Sequence, residues 1–226
     1  MGGVTEVVRF PGRVFLHFIS YMGQIAFLVR DLMTAFANRV WRLNLVAHQI
    51  VSIGYGSQAV VIVTGAFTGA VFTFQTYAKF KDFGVESSVG AIVSVALCRE
   101  LGPVLAGLMV GGRVGASMAA DIGTMKVTEQ VDALRVMGVH PVDYLVLPRF
   151  IAMMISMPIL VAESITFGLM ASYAVAVYGY GVPHAWFVHH MVDHTNQWDI
   201  VIGMIKGFVF GIIITLVACH QGLRAE

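Results

Sequence analysis

Four charged side chains lie inside stretches that are otherwise apolar: Arg99, Glu100, Glu163 and Lys206. A charge in such a stretch is costly unless it pairs or faces water, and it usually marks a binding site or a pathway. Arg99 and Glu100 are neighbours, about 100° apart on a helix, so they do not simply neutralise each other. Lys206 is therefore the expected partner of Glu100. Two roles stay open for these charges: a structural ion pair that sets helix register, and a site that handles substrate or gates its passage.

The sequence indicates no enzyme active site in this chain. No nucleophile and base occur in a recognisable pattern. The phosphate-binding loop G-x-x-x-x-G-K-[ST] is absent, because the segment Gly111-Gly112-Arg113 lacks the lysine and the strand that precedes such a loop. We expect no cofactor here, and if transport is driven by ATP, the ATPase is a separate subunit.

A histidine-rich segment is the only candidate for a metal site. Gly179–Asp199 reads as a polar loop with four histidines, in which His190 and His194 are one helical turn apart with Asp193 between them. Zinc needs convergent ligands, and this spacing alone does not supply them, so we predict no metal site. The two cysteines, Cys98 and Cys219, lie in apolar runs and are expected to be small buried side chains.

The composition is that of a membrane protein. Of the 226 residues, 58% are hydrophobic and only 12% are charged, whereas a typical soluble domain has about 25% charged residues. The net charge of +1 argues against a nucleic-acid partner, which would favour a strongly basic face. Apolar runs of about 18 residues or more are typical of spanning helices. We therefore predict an all-α integral membrane protein.

The apolar runs define the elements that position the charges. Spanning helices are predicted over residues 50–74, 87–118, 150–178 and 200–223. Residues 4–42 carry several arginines, and their apolar side chains recur at three- and four-residue intervals. This pattern predicts an amphipathic helix in the membrane interface; the alternative is an amphipathic helix packed on the protein itself.

Glycines repeat every four residues along three of the predicted spans. The rows are Gly65 and Gly69; Gly107, Gly111 and Gly115; and Gly203, Gly207 and Gly211. Small residues at this spacing allow two helices to approach closely. We expect two copies of the chain to pack through these glycine-rich faces.

The distribution of Lys and Arg predicts the orientation. With the N-terminus in the cytoplasm, ten of these side chains next to the spans lie inside and two, Lys79 and Lys81, lie outside. This asymmetry is what the positive-inside rule expects. Residues 125–138, between the second and third spans, then lie in the cytoplasm.

The segment 125–138 is predicted to form a short amphipathic helix, centred on Val127–Met137. Val131 and Leu134 share its apolar side, and its charged residues include Glu129 and Arg135, with Lys126 just before it. An inert connector is the simpler interpretation. Because the segment joins two spans on the cytoplasmic side, it is where we expect a separate ATPase to dock if transport is driven by ATP.

Four ordered motifs resemble those of one permease family. They are RELGP at Arg99–Pro103, GRVGAS at Gly112–Ser117, GTMKVTEQVDALRVMGV at Gly123–Val139 and P-x-x-Y-L-V-x-P-R at Pro141–Arg149. They follow one another in register within a stretch of over fifty residues, Arg99–Arg149, and in this respect the chain resembles the MlaE family of ABC-transporter permeases for lipids.

The resemblance implies a homodimeric permease in the bacterial inner membrane. Its implied partners are a pair of cytoplasmic ABC ATPases, which bind the ATP, a small STAS-domain protein and a periplasmic hexamer of MCE domains. Such complexes move phospholipids between the inner membrane and periplasmic carriers and maintain outer-membrane lipid asymmetry. The resemblance also implies a fifth spanning helix after the end of this chain.

The family's residues near the lipid cavity correspond to Tyr77, Arg99, Glu100 and Lys206, and its coupling helix corresponds to Val127–Met137. Two other functions are compatible with the sequence. One is a secondary transporter whose coupling ion binds Glu100 and Glu163, and the other is a membrane scaffold that transports nothing.

Overall fold

The computed structural model describes residues 3–37, 42–85 and 88–225. These residues form seven helices and no strand: α1 (Gly3–Ala37), α2 (Leu43–Lys81), α3 (Val89–Val127), α4 (Gln130–Val136), α5 (Val142–Gly179), α6 (His184–His194) and α7 (Gln197–Leu223). Helices α2, α3, α5 and α7 are long and apolar enough to cross a membrane. The predicted all-α architecture with four spanning helices is confirmed.

The spanning helices are longer than the apolar runs that predict them. The first run, 50–74, lies within Leu43–Lys81, and the third, 150–178, lies within Val142–Gly179. An apolar run is bounded by the nearest polar or charged residues. A helix can be longer than the run, because its backbone hydrogen bonds continue through polar residues. The first residue of the predicted span 87–118, like residues 38–41 of the predicted helix 4–42, lies outside the described residues.

Helix α1 packs one narrow row of side chains on the bundle. Leu28, Leu32 and Ala35 are buried against the ends of α3, α5 and α7 that lie next to α4. Several other large apolar side chains of α1 are exposed, among them Phe15, Leu16, Ile19, Phe27 and Met33. This surface has the composition of a helix that lies in a membrane interface, and that location stays a prediction.

The glycine rows are used within the chain, which corrects the prediction that they join two copies. A Cβ atom on Gly65 would lie 2.6 Å from the backbone oxygen of Ser164 in α5. A Cβ on Gly107 would lie 3.2 Å from the ring of Phe210 in α7, and one on Gly207 would lie 2.6 Å from Val161 in α5. The spacing correctly indicates close helix contacts, but a single sequence does not say which helix is the neighbour.

Two connecting segments also differ from their predictions. The histidine-rich loop contains a helix, α6, which Pro183 precedes. The segment 125–138 is not one continuous helix, because α3 extends to Val127 and Glu129 then adopts a positive φ of 60° before α4 begins. Gly138, at φ 75°, follows α4, as expected of a glycine that ends a helix.

Candidate functional site

Arg99 and Glu100 lie in a π-helical turn of α3, Leu97–Leu101. Turns of this kind often occur at functional sites. Pro103, four residues after Arg99, has no N–H, so the usual helical hydrogen bond to the Arg99 carbonyl cannot form. That carbonyl oxygen instead accepts a hydrogen bond from Lys206 Nζ, at 2.9 Å. The local sequence therefore exposes a backbone acceptor beside two charged side chains.

Two ion pairs join this turn to α7. Lys206 Nζ lies 2.6 Å from Glu100 Oε1, so the expected partnership of these two residues is present. Arg99 Nε lies 3.2 Å from Asp199 Oδ1. The other oxygen, Asp199 Oδ2, accepts a hydrogen bond from the backbone N–H of Asn196 at 3.0 Å, within the capping box that begins α7. The four side chains form a cluster with no net charge, called here the polar cluster.

Asp199 is a member of this cluster that was not predicted from the sequence. Its signal was the capping box formed by Asn196 and Asp199 immediately before an apolar run. A capping carboxylate uses one oxygen on the helix terminus, which leaves the second oxygen for a cation on a neighbouring helix. Arg99 points away from Glu100, although the two are adjacent in sequence, and it pairs with this second oxygen of Asp199.

Three members of the polar cluster face outward from the chain. The side chains of Arg99, Glu100 and Lys206 are 49%, 65% and 34% exposed, whereas that of Asp199 is 9% exposed. Arg99 and Lys206 lie about 15 Å and 14 Å along their helices from the ends that begin α3 and α7, about half the thickness of a hydrocarbon core. Contact with lipid tails at this depth would be very costly. A single chain therefore presents charged groups where only water, substrate or another protein surface would stabilise them.

The other intramembrane carboxylate, Glu163, does not belong to the polar cluster. Its Oε1 accepts a hydrogen bond from Gln58 Nε2 at 2.9 Å, and its Oε2 is buried with no hydrogen-bond partner among the described residues. Tyr77 is buried, and its ring stacks on Tyr180 with centroids 3.9 Å apart. Tyr77 belongs to the same apolar cluster as Leu97, the first residue of the π-helical turn.

The predicted coupling segment is held together by one carboxylate. Asp132 accepts from Lys126 Nζ at 2.8 Å and from Arg135 Nη1 at 3.2 Å. The hydrogen bond from Lys126, together with the two positive charges, holds the pKa of Asp132 below its usual value. Lys126, at the end of α3, is thereby tied to α4.

The apolar side chains of this segment are divided differently from the prediction. Val131 is completely buried and Leu134 is half-buried, so Val131 anchors α4 on the protein and offers no surface to a partner. Glu129 and Arg135 are exposed as expected. The exposed apolar side chains are Val127, Val136 and Met137, of which Val136 is 89% exposed. Val136 and Met137 were not predicted as contact residues. Their position at the end of a short helix, next to Gly138, is the feature of the sequence that could have indicated their exposure.

The histidines of α6 make pairwise contacts. His184 Nδ1 lies 2.8 Å from the hydroxyl of Tyr173, and His189 Nδ1 lies 2.5 Å from Asp193 Oδ2. Within the described part of the chain, no three His, Cys, Asp or Glu side chains are grouped as a metal site requires. Cys98 and Cys219 are both buried, as expected.

Comparison with known proteins gives the family. The family model described as Permease MlaE matches residues 46–226. The chain belongs to the MlaE permease family. A probable ABC transporter permease protein of Rickettsia felis is 46% identical over 80% of this chain and 70% of the relative. A protein of the same description from Synechocystis is 35% identical over 94% of this chain and 74% of the relative.

One MlaE relative has a name that refers to a lipid. Protein TRIGALACTOSYLDIACYLGLYCEROL 1, chloroplastic, of Arabidopsis thaliana is 38% identical over 81% of this chain and 52% of the relative. Family membership and the permease descriptions of the relatives identify the chain as a membrane permease of the ABC-transporter type.

Proposed function

We propose that this MlaE permease is the homodimeric membrane subunit of an ATP-driven transporter that moves phospholipids between the bacterial inner membrane and periplasmic carriers. In this proposal the transport maintains the lipid asymmetry of the outer membrane. The N-terminus lies in the cytoplasm, and the complex includes a STAS-domain protein and a periplasmic hexamer of MCE domains.

The observation that carries the proposal is the outward exposure of the polar cluster at membrane depth. Glu100, 65% exposed, and Arg99, 49% exposed, need an environment other than lipid tails. A second copy of the chain, placed so that its polar cluster faces the first, would enclose a cavity with two such clusters. The glycine rows are already occupied within each chain, so the exposed surface of α3 is the better candidate for this contact.

The surface next to the polar cluster suits a lipid. Along α3, the residues that follow Glu100 at four-residue intervals are exposed, and the first two are the apolar Val104 and Leu108. Apolar walls would hold acyl chains, and Arg99 and Lys206 would contact the phosphate of the head group. The galactolipid in the name of the Arabidopsis relative supports a glycerolipid as the substrate class.

The coupling segment would transmit the force of ATP hydrolysis. Val136 and Met137 form an exposed apolar surface on the side of the bundle where we place the cytoplasm, and the Lys126–Asp132 hydrogen bond joins α4 to α3. A movement imposed on α4 would therefore pass to the helix that carries Arg99 and Glu100. In the proposed mechanism, closure of the ATPase pair narrows the cavity and transfers the lipid to or from the periplasmic carrier.

The decisive experiment is reconstitution of the permease with its co-purifying subunits in liposomes. Transfer of a fluorescent phospholipid should require ATP and should stop when the ATPase is omitted. Lipid transfer that proceeds on an ion gradient without an ATPase would favour the secondary transporter instead. A purified complex with no bound phospholipid and no transfer would identify a scaffold.

A further inference from the structure

Arg113 is an arginine of α3 that pairs with no carboxylate in the described part of the chain. It lies outside the polar cluster, in a second π-helical turn, Gly111–Gly115. Its side chain is exposed. Among the described residues, no carboxylate oxygen lies within the 4.0 Å of a salt bridge from its guanidinium nitrogens. Its Nη1 donates one long hydrogen bond, 3.4 Å, to Ser57 Oγ of α2. The residues that the structure describes therefore leave most of its hydrogen-bonding capacity unused.

The neighbouring helix makes room for this guanidinium. A Cβ atom on Gly56 would lie 3.3 Å from Arg113 Nη2 and 3.5 Å from Nη1, so the guanidinium packs directly on the backbone of α2 at this glycine. Gly56 directly follows the π-helical turn Val51–Tyr55 of α2. The guanidinium thus rests against α2, while the side chain as a whole is exposed.

The position of Arg113 along the helix matches a layer of lipid phosphates. Arg113 lies about four turns, or about 21 Å, before the end of α3 next to α4, and Ser57 lies about 21 Å from the adjacent start of α2. Measured from its other end, α3 reaches Arg113 after about 36 Å, a little more than the ~30 Å hydrocarbon core. At that depth the Arg113 guanidinium is level with the expected position of the phosphates of the leaflet on the α4 side.

We infer that Arg113 forms a binding site for the phosphate of a phospholipid from the leaflet on the α4 side. The guanidinium offers a planar pair of N–H donors that fits two phosphate oxygens, and the buried Ser57 hydroxyl, which accepts a hydrogen bond from Nη1, helps to hold the guanidinium in place. The exposed residues Leu108 and Val104 lead along α3 from Arg113 towards Glu100. The site lies about 20 Å along α3 from the polar cluster.

This inference rests on the proposed function, because it makes Arg113 the site where a lipid of that leaflet enters or leaves the transport path. The site is the same for either direction of lipid movement. In Arg113→Lys the positive charge is kept but the bidentate hydrogen-bonding geometry is lost, whereas Arg113→Gln loses both. Phosphate binding should therefore be weaker in Arg113→Gln than in Arg113→Lys.

The test is photo-cross-linking of the assembled complex in nanodiscs that contain a photoactivatable phosphatidylglycerol. Labelled peptides from the Tyr55–Gln58 and Leu108–Arg113 regions are measured by mass spectrometry. We expect Arg113→Gln to reduce this labelling about tenfold, the size expected when a charge-assisted hydrogen bond is lost, and Arg113→Lys to reduce it less. The matched control is Lys79→Gln, which removes one charge at the opposite end of α2 and should leave the labelling unchanged.

Two further arms identify the source of the phosphate and exclude a misfolded variant. Inorganic phosphate at high concentration should not displace the labelled lipid, and a probe with a sugar head group and no phosphate should not label these peptides. Displacement by free phosphate would overturn the assignment to a lipid. Size-exclusion chromatography must show that the variants stay assembled; if Arg113→Gln dissociates the dimer and no lipid labels the site in the unsubstituted protein, Arg113 is a contact between copies and the inference fails.

The inference and the proposed function fail in different ways. If Arg113→Gln labels like the unsubstituted protein while ATP-driven lipid transfer is intact, the Arg113 site is wrong and the transporter function stands. If Arg113-dependent labelling is found but the complex transfers no lipid, the site stands and the transporter function is wrong.

Discussion

Lys206 and Glu100 are joined across the interface of α3 and α7 by an ion pair of 2.6 Å. The same ammonium group also binds the Arg99 carbonyl oxygen at 2.9 Å. Lys206 therefore binds both a charged side chain and the backbone of the π-helical turn. A change in the position of α7 relative to α3 would alter both contacts at once.

Exchange of the two charges separates a structural pair from a substrate-binding pair. We expect Glu100→Ala and Lys206→Ala each to slow lipid transfer several-fold. If the two residues act together, the double variant should be little worse than either single one, with a coupling energy of about 0.5–3 kcal/mol. The exchanged variant Glu100→Lys with Lys206→Glu should keep the ion pair but should not recover full lipid transfer, because the sign of the charge at each position facing the lipid is then reversed. Full recovery of transfer would show that the pair only sets helix register.

The glycine contacts between α2 and α5 predict a pair of substitutions with opposite effects. A Cβ on Gly69 would overlap the carbonyl group of Gly168, whereas a Cβ on Gly23 of α1 would meet nothing within 4 Å. Gly69→Ala should therefore destabilise the protein by about 1–3 kcal/mol. Gly23→Ala should not lower stability, because alanine favours a helix over glycine by about 1 kcal/mol. Thermal unfolding in detergent, followed by circular dichroism, measures both, and equal unfolding temperatures would contradict the close packing.

Most of the features predicted from the sequence depend on one helix at a time, and the pairing of Glu100 with Lys206 is the exception. Hydropathy is sufficient for the four spans, and the cost of an unpaired charge in a membrane is sufficient to pair Glu100 with Lys206. The amphipathic pattern of α1 is a property of that helix alone.

The features that were not predicted depend on neighbours. Asp199 joins the polar cluster only because α7 begins beside the π-helical turn of α3. The glycine rows show that helices approach closely, but not that α2 approaches α5. Val131 looked like part of a contact surface, yet it is buried because α4 folds back on the bundle after the turn at Glu129.

Titration of Asp132 tests the contact between α3 and α4. The pKa of Asp132 should lie below its usual value of 3.8, chiefly because Lys126 donates a hydrogen bond to the carboxylate. Since the pKa is lower in the folded state, the stabilising effect is complete well above pH 3.8 and is lost as the pH falls through the folded-state pKa. The measurement is a carbon-detected NMR titration of the side-chain carboxyl. Lys126→Met should return the pKa towards 3.8, and no difference between the two proteins would mean that the contact is absent in solution.

The proposed orientation predicts which exposed positions a membrane-impermeant thiol reagent can reach. The two native cysteines are buried, so they give a low background. Val192→Cys, on the exposed surface of α6, should react in spheroplasts whose inner membrane is intact. Val136→Cys, on α4, should react only after that membrane is permeabilised. The reverse pattern would place α4 in the periplasm and remove it from any cytoplasmic ATPase.

Val136 and Val131 give the sharpest test of ATPase docking because they lie on the same short helix with opposite exposure. Val136 is 89% exposed and makes little contribution to the fold, so Val136→Glu should leave thermal stability nearly unchanged. If α4 is the docking surface, this buried charge in the interface should weaken co-purification of the ATPase at least about tenfold, since an unpaired interfacial charge costs about 2 kcal/mol or more. Val131 is completely buried, so Val131→Ala should lower stability and affect the ATPase only through the loosened helix. Normal ATPase association in a stable Val136→Glu variant would mean that the ATPase docks on another surface. The contacts from α4 through Lys126 to the polar cluster would then have no role in transport.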